Sequence, residues 1–134
     1  MGTFSSFDIS ASGIYAQRVR MDTVANNIAN ADTTRTPEGG PYKRQQVSFR
    51  SAYEDALGNQ GVKVDQVTSN GATRTVNMPG HPDADANGNV QMPDINIVEE
   101  MVDMISATRA YEANVTALNA TKSMINEAIG IGKA

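Results

Sequence analysis

Apolar residues recur along the C-terminal third of the chain in steps of four and three. From Ile97 the steps pass through Met101, Met104, Thr108, Tyr111, Val115, Leu118, Lys122, Ile125 and Ile129, and only Thr108 and Lys122 interrupt the stripe. A 3.5-residue period held over four heptads predicts a long helix with a coiled-coil seam. Val98, Val102 and Ile105 widen its apolar face near the start, where a second neighbour fits. Asn96 is placed to cap this helix, with Glu99 at the capping-box position and Glu100 in the first turn, where the helix dipole favours a carboxylate. Gly130 and Gly132 are read as its stop.

The N-terminal segment repeats the pattern more weakly. Phe7, Ile14, Met21 and Ile28 share one heptad position and are all apolar, whereas Ser10, Gln17, Val24 and Ala31 share the other and are mixed. The predicted helix starts at Ser5, with Asp8 three residues on as in a capping box. It runs out in Asn26, Asn27, Asn30 and Asp32, residues that prefer caps and turns. All five prolines lie between Pro37 and Pro93. That stretch predicts short strands at 45–49, 61–67 and 73–76 and loops at 36–41 and 79–82. Phe49, Tyr53 and Leu57 are spaced as on a helix, which leaves 51–56 open between helix and strand.

The fold class expected is therefore mainly α with a small β-rich middle. An N-terminal helix within 1–34 and a C-terminal helix within 96–134 pair as a coiled-coil-like domain, and 35–95 form a β-hairpin and loop subdomain.

Composition sharpens this picture. The 134 residues carry a formal charge of −4, with no basic cluster longer than Lys43-Arg44, so neither nucleic acid nor a polybasic membrane contact is expected. There are no cysteines, which removes disulfides, thiolate metal sites and cysteine nucleophiles together. No apolar run is long enough to span a bilayer, so direct membrane insertion is not expected, and the N-terminus lacks the pattern of a secretory signal. Hydrophobic residues make up 40% but aromatic residues only 5%, and much of the apolar content is concentrated in the two helical stripes. The N-terminal stripe is too short and too polar to cover the C-terminal one. Part of that face is expected to meet water in the lone chain, which marks an interaction surface.

Candidate chemistry is sparse. Asp83 to Asp94 matches the D-x-D-x-N-G start of a calcium loop, with Asp83, Asp85, Asn87, the Asn89 carbonyl and Asp94 as oxygen ligands. Pro82 before it, Pro93 within it and a short Asp at its last position argue instead for a turn network. His81, the one histidine, sits in a Pro-flanked turn without a nucleophile motif. No enzyme activity and no cofactor or metal is expected, and a small calcium-binding interaction module using the Asp83–Asp94 loop is the alternative function.

Two segments carry a specific resemblance. Ser12 to Asp22 running into ANNIANADTTRT is similar to the N-terminal motif of bacterial flagellar rod and hook proteins, and VEEMVDMISATRAYEANVTALNATKSM, Val98 to Met124, resembles their C-terminal helix. GGPYKRQ at 39–45 and GHPDADANGNVQMPDIN at 80–96 narrow the resemblance to the C-type proximal rod proteins of the flagellar basal body. The resemblance implies a structural subunit of the proximal rod, a drive shaft that transmits motor torque and surrounds the protein-export channel. It implies helical stacking with copies of itself and with other rod proteins, an adaptor joining the rod to the membrane ring, and export by the flagellar apparatus without a cleaved signal into the rod crossing the periplasm. On this reading Met101, Met104, Tyr111, Val115, Leu118 and Ile125 form a helix seam, within or between subunits. Ile14, Met21, Val24 and Ile28 lie opposite, and Asn26 and Asn30 contact neighbours.

Overall fold

A computed structural model describes residues 3–54 and 59–132. Six elements follow in order: α1 (Thr3–Ala29), β1 (Gln45–Glu54), β2 (Asn59–Ser69), β3 (Thr73–Asn77), β4 (Asn89–Pro93) and α2 (Ile97–Ile131). At roughly 1.5 Å per residue, the 27 residues of α1 span about 40 Å and the 35 of α2 about 52 Å. The helices pack antiparallel. Gly13 approaches Asn114, Arg20 pairs with Asp103 at 3.0 Å, and Asn27 reaches Glu100, so residue numbers fall along α2 as they rise along α1.

The expected caps hold only in part. Asn96 accepts a hydrogen bond from the Val98 amide at 3.1 Å, as a helix N-cap should. Glu99 is exposed, and Glu100 turns into the protein instead of serving the dipole. Gly130 lies inside α2, which closes at Gly132 through a bond to the Ala128 carbonyl. At the other end α1 already includes Ser5, so the helix begins before the expected cap. A helix with a tertiary partner along its length can extend past a local start signal, because packing outweighs capping.

The middle forms two separate antiparallel hairpins, β1 with β2 and β3 with β4. The first carries a bulge at Ser48/Phe49, where Asp65 is the extra residue. Ser51 to Glu54 are strand, which decides that part of the open stretch, while 55–58 lie outside the described residues. This hairpin lies along α1. The Ser12 hydroxyl accepts from the Val62 amide at 3.1 Å, and Gly61 alongside it provides the close approach, since a methyl there would touch Ser12 Oγ. The fourth strand, not expected from the sequence, runs through the proposed calcium loop; Val90, Met92 and the following Ile95 are its buried apolar residues. Positive φ at Gly39 and Gly40 forms the tight turn before β1, and at Gly88 the turn that leads into β4.

Candidate functional site

Along the pairing of α1 with α2, most of the residues expected at a seam are buried or half-buried, and Met21 meets α2 through its sulfur, which accepts from Thr108 at 3.5 Å. Val24 is buried and Ile14, Met21 and Ile28 are half-buried on α1; Met104, Tyr111, Val115, Leu118 and Ile125 are half-buried on α2. Met101 is not among them: it stands 55% exposed on the opposite face. Asn30 folds back, donating to the Asn26 carbonyl at 2.9 Å and accepting from Thr33 at 3.2 Å, while Asn26 itself is exposed.

The most deeply buried positions on α2 are others. Glu100, Ala107 and Thr121 are its buried residues. They form, with Asn114, a second row of the seam in which side chains are small or polar. Ala107 and Gly13 let the helices come close, since a methyl on Gly13 would meet the Asn114 amide. The seam thus combines one row of large apolar side chains with one row of small or hydrogen-bonding ones.

At the end of the seam nearest the β region sits a buried polar clasp. Glu100 is 1% exposed; its Oε1 accepts from Arg44 Nε at 2.6 Å and its Oε2 from Asn27 Nδ2 at 3.0 Å. The same Asn27 amide nitrogen donates to the Gln45 carbonyl at 2.8 Å. Asn27 Oδ1 accepts from the Gln45 amide at 2.8 Å and from the Tyr42 hydroxyl at 3.1 Å. One amide and one carboxylate thereby tie α1, α2 and the start of β1 together. Sequence reasoning passed over both: Asn27 read as a turn former and Glu100 as a dipole residue. The available signal was a pair of polar residues at the ends of two otherwise apolar faces.

Burial raises the pKa of Tyr42, and the negative charge of Glu100 raises it further. A raised native value stabilises the fold fully below the unfolded tyrosine pKa of about 10, and that contribution disappears as pH climbs through the native value. Urea midpoints recorded from pH 8 upward are expected to hold steady until about pH 10 and to fall above it. Tyr42→Phe should cost about 1 kcal/mol at neutral pH and should lose this part of the alkaline fall.

The Asp83–Asp94 segment is committed elsewhere. Asp83 pairs with Arg35 and accepts from Thr34 at 2.8 Å, fastening the loop after α1 to this turn. Asp85 Oδ1 accepts from the Asn87 and Asn89 amides, both at 2.8 Å, and Asn89 to Pro93 are strand. A calcium loop would need these oxygens to converge on one point, and a strand spreads them apart. Among the described residues no group of three carboxylates or imidazoles converges. His81 Nδ1 accepts from the Asp83 amide at 3.1 Å, a turn contact.

The last feature is what the fold leaves uncovered. Val98, Met101, Val102 and Ile105 are 68%, 55%, 61% and 56% exposed and occupy the side of α2 opposite α1. Four large apolar side chains within eight residues on one solvent face exceed the isolated exposed residues that a folded chain ordinarily carries.

Known proteins share this arrangement in sequence. The flagella basal body rod protein family model matches residues 7–35, and that of the flagellar basal body rod FlgEFG protein C-terminal region matches residues 86–131. Flagellar basal-body rod protein FlgC of Bacillus subtilis is 45% identical, covering 99% of this chain and all of that protein. FlgC of Borreliella burgdorferi is 44% identical over 98% of both chains. FlgC of Escherichia coli O157:H7 is 41% identical, covering 99% of this chain and all of its own length. The chain belongs to the FlgC family of flagellar basal-body rod proteins. Membership makes it a structural subunit of the basal-body rod, assembling with other rod proteins. The two matched regions take in most of α1 with the turn after it, and most of α2 with β4 before it, so they include Asn27 and Glu100 of the clasp. Among the described residues no helix is long and apolar enough to cross a membrane.

Proposed function

We propose that this FlgC-family chain works as a proximal rod subunit whose helix pair, 1–34 with 96–134, packs side by side with neighbouring helices around the export channel. The 35–95 region then lies outside. The observation that carries this reading is the apolar face of α2 at Val98, Met101, Val102 and Ile105, which is exposed among the described residues. Torque passed along a shaft is a shear load, and close-packed helix contacts resist shear because interiors packed at crystal density deform little. The clasp extends that stiffness into the β region, since Arg44 and Gln45 cannot swing away without exposing Glu100 and Asn27 unpaired. No step of this work needs a catalytic group. Partners on this reading are copies of the chain, other rod proteins, the adaptor between rod and membrane ring, and the export apparatus that delivers the chain.

Val102→Asp tests it. The residue is exposed in the single chain, so the variant should fold with an unchanged urea midpoint, within about 0.5 kcal/mol of the parent. Buried between helices in the rod, an unpaired aspartate is costly. Cells relying on the variant should not build rods or swim. Normal swimming with the variant contradicts the reading.

A further inference from the structure

The outward face of α1 is as uncovered as that of α2. Tyr15, Arg18, Asp22, Ala25 and Ala29 are all exposed and follow one another in steps of three and four, so they share a stripe turned away from α2. Tyr15 is 62% exposed, a large aromatic side chain in water. On α2 the outward stripe is Val102, Ile105, Arg109, Glu112 and Thr116, exposed and spaced the same way. Arg18, Asp22, Arg109 and Glu112 form none of the ion pairs found among the described residues.

We infer that the α1 stripe of one copy packs antiparallel on the α2 stripe of the next, with Arg18 against Glu112 and Asp22 against Arg109. This rests on the assembly reading above and names the occupant of the apolar face as a second copy of the chain. The order of charges selects the orientation. Along α1 the cation precedes the anion, and along α2 it does so too. Two such helices laid antiparallel match both charges, whereas a parallel alignment matches one and strands the other. In the antiparallel register size is complementary as well. Tyr15 falls beside Thr116 and Ala113, while Ala25 and Ala29 fall beside Ile105 and Val102, so large side chains meet small ones on either side of the charge pairs. The two stripes are on opposite sides of the helix pair, so the contact is heterologous. Each copy offers one stripe forward and one back, and such contacts propagate into rings or helical tubes instead of stopping at dimers.

The chain contains no cysteine, so introduced thiols are the only ones present. Ala29→Cys with Val102→Cys in one full-length chain places thiols on the outer faces of two packed helices, beyond disulfide reach within a copy. In basal bodies from cells carrying this double variant, mild oxidation is expected to give a ladder of covalent dimers, trimers and higher multiples. Each single variant should give none. Rods that assemble without the ladder overturn the pairing while leaving the assembly reading intact; so does a dimer from either single variant, or an adduct whose mass is not a multiple of this chain. A charge exchange gives a second readout. Asp22→Arg and Arg109→Asp should each impair swimming, and the two combined should recover it, because the pair is rebuilt with its sign reversed. Failure of the combined variant to recover overturns the proposal. If instead Val102→Asp leaves swimming unchanged, the assembly reading itself falls.

Discussion

Glu100→Ala is expected to lower the stability of the folded chain by about 2–3 kcal/mol, below the cost of breaking a fully buried ion pair because the Arg44 side chain keeps a third of its surface in water. The carboxylate is 1% exposed and answers two donors from two different segments, Arg44 Nε and Asn27 Nδ2. Its loss leaves the half-buried Arg44 guanidinium without its carboxylate and the Asn27 amide group with one acceptor in place of two. At a urea dependence of about 2 kcal/mol per molar, the midpoint should fall by about 1 M. Glu100→Gln keeps an accepting oxygen but turns an NH2 toward one of the donors, and about 1–3 kcal/mol is expected. An alanine variant within 1 kcal/mol of the parent would remove the clasp from the account of what joins the helices to the β region.

Asn27→Asp should do comparable damage by the opposite route. The amide nitrogen that donates to Glu100 and to the Gln45 carbonyl becomes an oxygen, so two hydrogen bonds turn into acceptor–acceptor contacts. About 3 kcal/mol is expected near pH 8. Two carboxylates this close cannot both ionise cheaply, so one pKa rises above its unfolded value. A raised native pKa contributes stability below the unfolded value, near 4 for a carboxyl, and loses it as pH rises. The deficit relative to the parent should therefore shrink as pH is lowered from 8 toward 5, because the added proton restores a donor toward Glu100. A deficit independent of pH would mean that the Asn27 amide does not face the carboxylate.

The helices and the first hairpin were legible in the sequence because period is a property of the chain alone. The seam was legible in one row. Met104, Tyr111, Leu118 and Ile125 are half-buried at the spacing the heptad gives, but the row that includes the buried residues of α2 is Glu100, Ala107, Asn114 and Thr121, one residue earlier than the expected Met101, Thr108, Val115 and Lys122. The pattern blurred because α2 has two apolar duties. Val98, Met101, Val102 and Ile105 are hydrophobic yet turned away from α1, and a stripe drawn through all apolar positions averages the two faces. Small and polar seam residues carry no periodic signal: Gly13 matters because it lets the Asn114 amide come close, and Glu100 is buried because Arg44 and Asn27 meet it from distant parts of the chain. The strand at Asn89–Pro93 was hidden for a similar reason. Its Asp- and Asn-rich approach reads as a metal loop until Arg35, forty-eight residues before Asp83, is known to hold that aspartate. No local pattern encodes such a pairing.

The outer face of α2 is open in the single chain and, in the rod packing proposed above, covered by a neighbour. Met101 reports on this directly, since its sulfur is on that face and 55% of the residue is exposed. Brief peroxide treatment followed by peptide mass spectrometry should convert Met101 to the sulfoxide readily in the purified monomer. In intact basal bodies Met101 should be strongly protected, while Met78, exposed in the β region, should oxidise to a similar extent in both. Equal oxidation of Met101 in monomer and rod would contradict the account.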